Sequence, residues 1–235
     1  MRTAPALLAA FSLLLAACND RLFDNPYDPG AEVLAYEILS TLQAGGAVPV
    51  DLTFSGDALW AVDSRARVLA LNYNTGALIR ELEVPVAAAG AAYDGEDLWL
   101  SVRGTSQLVL VNIINGAQVR VLNLMRGSFG PLDYAGGRLY VADLLSNSIL
   151  VVDPQSGAIE RSIARPGFAI DGVCFDGADL WTIDASQMKI FRLSGSGALV
   201  NAYQAPSRTV AGLAFADGIH WCGDRAGRVY KLRFQ

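Results

Sequence analysis

Val173-Cys174-Phe175-Asp176-Gly177-Ala178-Asp179-Leu180-Trp181 decides the fold, because the chain repeats its pattern five times. The other copies run Leu52–Trp60, Ala91–Trp99, Leu132–Tyr140 and Leu213–Trp221. Each holds an aromatic, then Gly/Asp-type turn residues, then an anchoring Trp or Tyr. The anchors Trp60, Trp99, Tyr140, Trp181 and Trp221 are spaced 39, 41, 41 and 40 residues apart. Every copy has room for four strands. Strand a ends before the turn and strand b carries the anchor. Strand c alternates, as in Val68-Leu69-Ala70-Leu71 or Ile149-Leu150-Val151-Val152. A glycine turn follows, as in Asn74-Thr75-Gly76, Ile114-Asn115-Gly116 and Gln155-Ser156-Gly157, and strand d begins behind it. Short strands recurring with a period near forty imply an all-β β-propeller of five four-stranded blades.

The ends of the repeat favour a ring over an open stack. The fifth copy reaches only its third strand, Val229 to Phe234, before Gln235. Residues Glu32 to Leu42 are strand-compatible and precede the first strand a. They are expected to complete the last blade, because an open stack would leave bare strand edges. The propeller domain is therefore expected over residues 31–235.

The preceding residues read as an address. Arg2 is followed by an uncharged, mostly apolar run from Ala4 to Ala17, too short to span a bilayer comfortably but suited to a signal peptide. It ends in Leu15-Ala16-Ala17-Cys18, which resembles the lipobox of bacterial lipoproteins. That resemblance implies removal of residues 1–17 and lipidation of Cys18, so that the lipid makes the membrane a partner. Residues 18–30 then form a tether, whose prolines and Asn/Asp residues favour turns and extended chain. Its Asp24-Asn25-Pro26-Tyr27-Asp28-Pro29-Gly30 stretch is similar to segments behind the lipid cysteine of other bacterial surface lipoproteins. Two carboxylates in such a spacer fall short of the six to eight oxygens calcium takes. Asn19, not Asp, follows Cys18, so an inner-membrane retention signal is not matched and the outer membrane of the cell envelope is favoured.

Composition excludes some roles. The chain is 52% hydrophobic with 23 glycines, which suits a globular fold full of tight turns. Its net charge is −5 and it holds only two lysines, Lys189 and Lys231, so no basic stretch exists to track nucleic-acid phosphates.

The run Asp-Gly-x-x-Leu-Trp, a strand, an Asp and a Thr-Gly or Ser-Gly turn resembles bacterial propellers with YVTN, NHL and SMP-30-like repeats. The resemblance covers residues 31–235 and speaks for the fold, which hosts many activities. Among its relatives, SMP-30-like lactonases imply a divalent metal held by Glu, Asn and Asp at the channel. Here only Asp51, Asp133 and Asp171 lie near the starts of strand a. Streptogramin-lyase-like propellers use more than one histidine, and this chain has one. Five-bladed glutaminyl cyclotransferases match in size, but their characteristic segments are not found. No catalytic residue, metal or cofactor is assigned. The expected function is a non-enzymatic binding module for a protein, peptide or glycan. The alternative is a metal-dependent lactonase or lyase.

Candidate ligand-binding residues come from the loops entering strand a and the loops between strands b and c. Asp63, Asp143, Asp184 and Asp224 recur three residues after the anchor, so they are expected to brace turns. The charges that break the repeat are the candidates: Asp51, Arg65, Arg103, Arg126, Asp171, Arg208 and Arg225. His220 takes the slot of Leu59, Leu98, Leu139 and Leu180, which predicts a half-buried, hydrogen-bonded side chain. Cys174 and Cys222 occupy positions held elsewhere mainly by small or aliphatic residues and are expected as buried free thiols. The anchoring aromatics, equivalent in every repeat, are expected between blades and not as a carbohydrate platform.

Overall fold

The computed structural model describes residues 36–234. The signal segment, Cys18, the tether and residues 32–35 of the expected closing strand lie outside the described residues. Blade one contains β2 (Pro49–Phe54), β3 (Leu59–Asp63), β4 (Val68–Leu71) and β5 (Leu78–Leu82). Blade two contains β6 (Ala88–Tyr93), β7 (Leu98–Val102), β8 (Gln107–Val111) and β9 (Gln118–Asn123). Blade three contains β10 (Phe129–Ala135), β11 (Arg138–Asp143), β12 (Ser148–Val152) and β13 (Ile159–Ala164). Blade four contains β14 (Gly172–Phe175), β15 (Asp179–Asp184), β16 (Lys189–Ser194) and β17 (Leu199–Gln204). Blade five contains β18 (Val210–Ala216), β19 (Ile219–Asp224) and β20 (Arg228–Phe234), with β1 (Tyr36–Gln43) hydrogen-bonded outside β20. Each sheet is an antiparallel meander, and the five sheets form a five-bladed β-propeller. Tyr36 pairs with Phe234 and Gln43 with Arg228.

The sequence periodicity becomes a core at the seams. Trp60 packs with Leu98 and Leu100 of the next blade, and Trp99 with Leu132 and Leu139. Tyr140 meets Val173 and Leu180, and Trp181 meets Leu213 and Cys222. Trp221 packs with Leu52 and Leu59 of blade one, so the fifth seam joins last blade to first. The four tryptophans keep at most 3% of their surface exposed, which places them in the inter-blade core and not on a sugar-binding surface. Long side chains brace the rim. Arg80 lies over Trp60 and donates to Ile113 O and Ile114 O of the next blade, and Arg120 reaches Pro154 O and Gln155 O in the same way. Cys174 and Cys222 are buried and free.

The inner strands crowd around the axis, and glycine allows it. A Cβ on Gly212, at φ +75°, would lie 2.7 Å from Asp51 Cα. One on Gly90 would lie 2.6 Å from both Asp51 Oδ2 and Gly130 O. The equivalent position in blade one is Asp51 itself, whose side chain fills this space. Asp51 is fully buried on β2, and its Oδ2 accepts the N–H groups of Ala91 and Leu132, each at 3.1 Å. It thus joins three blades at the axis. This corrects its expected place among the ligand-binding candidates of the loops: the glycines leave a side-chain-sized gap at the axis, and Asp51 occupies it.

Candidate ligand pocket at the loop end

In a four-stranded meander the a–b and c–d turns share one end, and the b–c and d–a loops share the other. Backbone bonds tie the second group together: Arg103 N to Ala87 O at 2.8 Å, Leu144 N to Ser128 O at 2.8 Å and Arg225 N to Thr209 O at 2.9 Å. Charge segregates between the ends. The b–c and d–a loops carry Arg65, Arg67, Arg103, Arg126, Arg165, Arg208 and Arg225, against Glu83, Asp171 and the four aspartates that end the adjoining strands, Asp63, Asp143, Asp184 and Asp224. The a–b and c–d turns carry Asp57, Asp94, Glu96, Asp97, Asp153, Asp176 and Asp217 and no lysine or arginine. The acidic net charge of the chain conceals a basic face.

A pocket of about 340 Å³ opens at that basic end. Its walls are largely apolar, from Phe129, Pro131, Leu144, Phe168 and Ile170, with Ser128 and Asn147 as neutral polar groups. Its ionisable groups are Arg103 of blade two, Asp171 at the entry to blade four and Arg225 of blade five. Asp171 is held by its backbone, which donates to Ile183 O at 2.8 Å and accepts from Gly212 N at 2.7 Å. Its Oδ2 accepts from Ala185 N at 3.0 Å, which leaves Oδ1 for the Arg225 guanidinium at 3.0 Å. Arg103 donates to Ser64 O at 3.1 Å and to Ala88 O at 3.5 Å. Among the described residues it has no carboxylate partner. Two carbonyls therefore hold a guanidinium whose charge is unmatched.

The structure brings together three of the seven sequence candidates, Arg103, Asp171 and Arg225. Arg126 lines a second pocket of about 260 Å³ beside Asp143, Ser146 and Ser148. Arg65 and Arg208 are exposed on the same end and line neither pocket. The recurring aspartates brace loops. Asp63 accepts from Arg65 N and Arg67 N, and Asp143 from Ser128 N and Leu145 N. Asp184 accepts from Phe168 N and Ala169 N, and so shapes the pocket from behind. Asp224 accepts from Ala226 N and Arg228 N. These bonds hold the Asp143, Asp184 and Asp224 carboxyls below the usual carboxylate range against the opposing effect of burial.

Sequence reasoning missed the apolar wall. Phe168 is 71% exposed in the loop entering blade four, and it too breaks the repeat. The sequence carries the signal, since an aromatic stands there where the other blades have Ala47, Val86, Gly127 and Arg208. His220 also departs from expectation. It is 4% exposed, and neither ring nitrogen has a hydrogen-bond partner among the described residues. The leucine slot encloses it completely, because strand b points that position into the seam. Among the described residues no three His, Cys, Asp or Glu side chains gather as a metal site.

No family model and no curated protein matches this chain. Solved structures do. Glutaminyl cyclase of Myxococcus xanthus superposes with a TM-score of 0.73 at 16% identity, covering 86% of this chain and 98% of that one. The Cps50 (Swd1) β-propeller domain of Myceliophteria thermophila gives 0.54 at 11% identity, covering 86% and 100%. Virginiamycin B lyase of Staphylococcus aureus gives 0.51 at 17% identity, covering 79% and 66%. At such identities the likeness is one of fold.

Proposed function

We propose that this chain is a lipid-anchored protein of the bacterial envelope whose propeller is a non-enzymatic binding module. Its partner, a protein, peptide or glycan, docks on the arginine-rich loop end around the 340 Å³ pocket. The carrying observation is the convergence of Arg103, Asp171 and Arg225 from three blades on one apolar-walled pocket. These residues break the repeat where blade-building residues keep it. The acid–base repertoire is committed elsewhere: the lone histidine is sealed in a seam, and the recurring aspartates are spent on loop N–H groups. The lipobox-like Leu15-Ala16-Ala17-Cys18 and the tether behind it support attachment to the outer membrane.

Two measurements test this reading. Cys18→Ser should abolish incorporation of labelled acyl chain and release the protein from the membrane fraction; unchanged fractionation overturns the anchor. Arg103→Glu combined with Arg225→Gln should abolish capture of whatever envelope component the unaltered chain retains. Normal capture by that variant, with loss on altering the acidic turns instead, overturns the choice of face. Stoichiometric divalent metal together with turnover of a lactone would replace the binding module with the enzyme alternative.

A further inference from the structure

We infer that the pocket between Arg103, Arg225 and Phe168 is a site for an apolar group bearing a carboxylate. This rests on the reading of the loop end as the binding face and names the chemistry of what enters it. Four observations meet here. Asp171 already compensates Arg225 at 3.0 Å, whereas Arg103 has no anionic partner among the described residues. The pocket itself thus presents one uncompensated positive charge beside an apolar wall. Arg103 is pinned by Ser64 O and Ala88 O, so its donors are oriented before a ligand arrives, which lowers the ordering cost of binding. Phe168, 71% exposed, offers an aromatic face that no other ring covers among the described residues, and Phe129 and Ile170 continue the wall inward. Finally, the volume of about 340 Å³ sits at the small end of the roughly 300–1,000 Å³ typical of small-molecule sites. It suits one side chain with its carboxylate, not a folded surface.

The chemistry distinguishes a carboxylate from its neutral isostere. A guanidinium donates two parallel N–H groups to a carboxylate, and such charge-assisted bonds are about twice as strong as neutral ones. The corresponding amide offers one carbonyl oxygen and brings N–H donors toward a group that accepts nothing. The seven loop arginines still outnumber the two loop carboxylates and the four bracing aspartates of that end together, which favours an anion's approach.

The test titrates the full chain with N-acetyl-phenylalanine and with N-acetyl-phenylalaninamide, followed by calorimetry or by the fluorescence of the protein. The acid should bind about tenfold or more tightly than the amide, the factor a lost charge-assisted bond implies. Arg103→Gln should erase that preference, and Arg103→Lys should keep part of it. Phe168→Ala should weaken both probes about equally, while Asp57→Asn, exposed in a turn at the opposite end, should change neither. Because Arg103 also holds two loop carbonyls, each variant is melted alongside; the Lys variant separates lost charge from lost structure. A second pair of acids, Ala-Ala-Phe and 3-phenylpropanoate, locates the source. Tighter binding of the tripeptide identifies a peptide chain end, and tighter binding of the other a free acid; both support the carboxylate assignment. Equal affinity for acid and amide, or no binding of either, overturns it. If that happens while Arg103→Glu with Arg225→Gln still abolishes partner capture, the binding-face reading stands and only the ligand chemistry fails.

Discussion

Buried His220 and half-buried Asp133 are two compromises with opposite consequences for pH. His220 lies against Trp181, Phe215 and Phe234, with ring centroids 4.3, 4.8 and 5.0 Å away. Burial pushes its pKa down from the ordinary 6.5 to about 4. The neutral ring is what the fold tolerates, so its contribution is present above about pH 6.5 and lost as pH falls through 4. Asp133 on β10 accepts from Phe175 N of the next blade at 2.7 Å, and desolvation pushes its carboxyl up to about 7. Here the protonated form is favoured by folding, so its contribution is present below about pH 4 and lost as pH rises through 7. Asp51, moved up well beyond its usual range by burial, acts in the same direction as Asp133. Between pH 7 and pH 4 the two effects oppose, and thermal melting separates them. His220→Leu should leave a domain whose Tm rises on acidification, and it should gain about 1–3 kcal/mol at pH 7 by removing two unsatisfied buried nitrogens. Asp133→Asn should make Tm rise less on acidification from pH 7 to 4 than it does in the unaltered chain, with Asp51 still opposing His220. Parallel slopes for both variants and the unaltered chain would show that neither group is coupled to folding.

At the scale of the element, one turn in the ring is mismatched to its neighbour. In blades one, two and four the anchoring indole N–H finds an acceptor five residues earlier: Ser55 Oγ at 3.0 Å, Asp94 Oδ2 at 3.2 Å and Asp176 Oδ2 at 2.7 Å. Blade three has Ala135 there, and its anchor is Tyr140, which has no indole to satisfy. Blade five has Ala216 but keeps Trp221, whose Nε1 is buried without an acceptor among the described residues. Replacing Ala216-Asp217-Gly218-Ile219 by the blade-four residues Asp-Gly-Ala-Asp should supply it. The new aspartate at 219 would also face Lys231 as Asp179 faces Arg192 at 2.6 Å. A gain of about 1 kcal/mol, or a Tm higher by roughly 2–4 °C, is expected; an unchanged or lower Tm would refute the account. The other telling element is β1. Deleting residues 31–43 strips the strand hydrogen-bonded to β20 and exposes that edge. The truncated chain should aggregate or lose its sharp transition, whereas an identical melt would show that β1 is dispensable.

For the whole molecule, the separation of charge between the two ends makes the propeller a dipole with a basic face. Association of an anionic partner with that face should be steered and therefore slowed by salt. Reversing Arg65 and Arg208, which are exposed and line neither pocket, should lower the association rate while changing the dissociation rate and Tm little. A salt-independent association rate would argue against electrostatic docking.

The periodic sequence determined blade number, strand order and the seam aromatics, because a recurring residue meets the same neighbours in each blade. It also identified the bracing aspartates, whose chemistry is local to one or two loops. The pocket was legible only in part. Arg103, Asp171 and Arg225 stood out as departures from the repeat, but they are distant in sequence and meet only because the ring brings three blades around one axis. Which breaks in the pattern face the pocket, and which do not, depends on how far each loop leans over the axis. That is why Arg65 and Arg208 fell outside it and Phe168 came in. Asp51 shows the same limit: its burial follows from glycines in other blades, Gly90 and Gly212, that leave the axial space it fills. Local pattern specifies an element and the face it buries; only closure of the ring decides which side chains from different blades share a site.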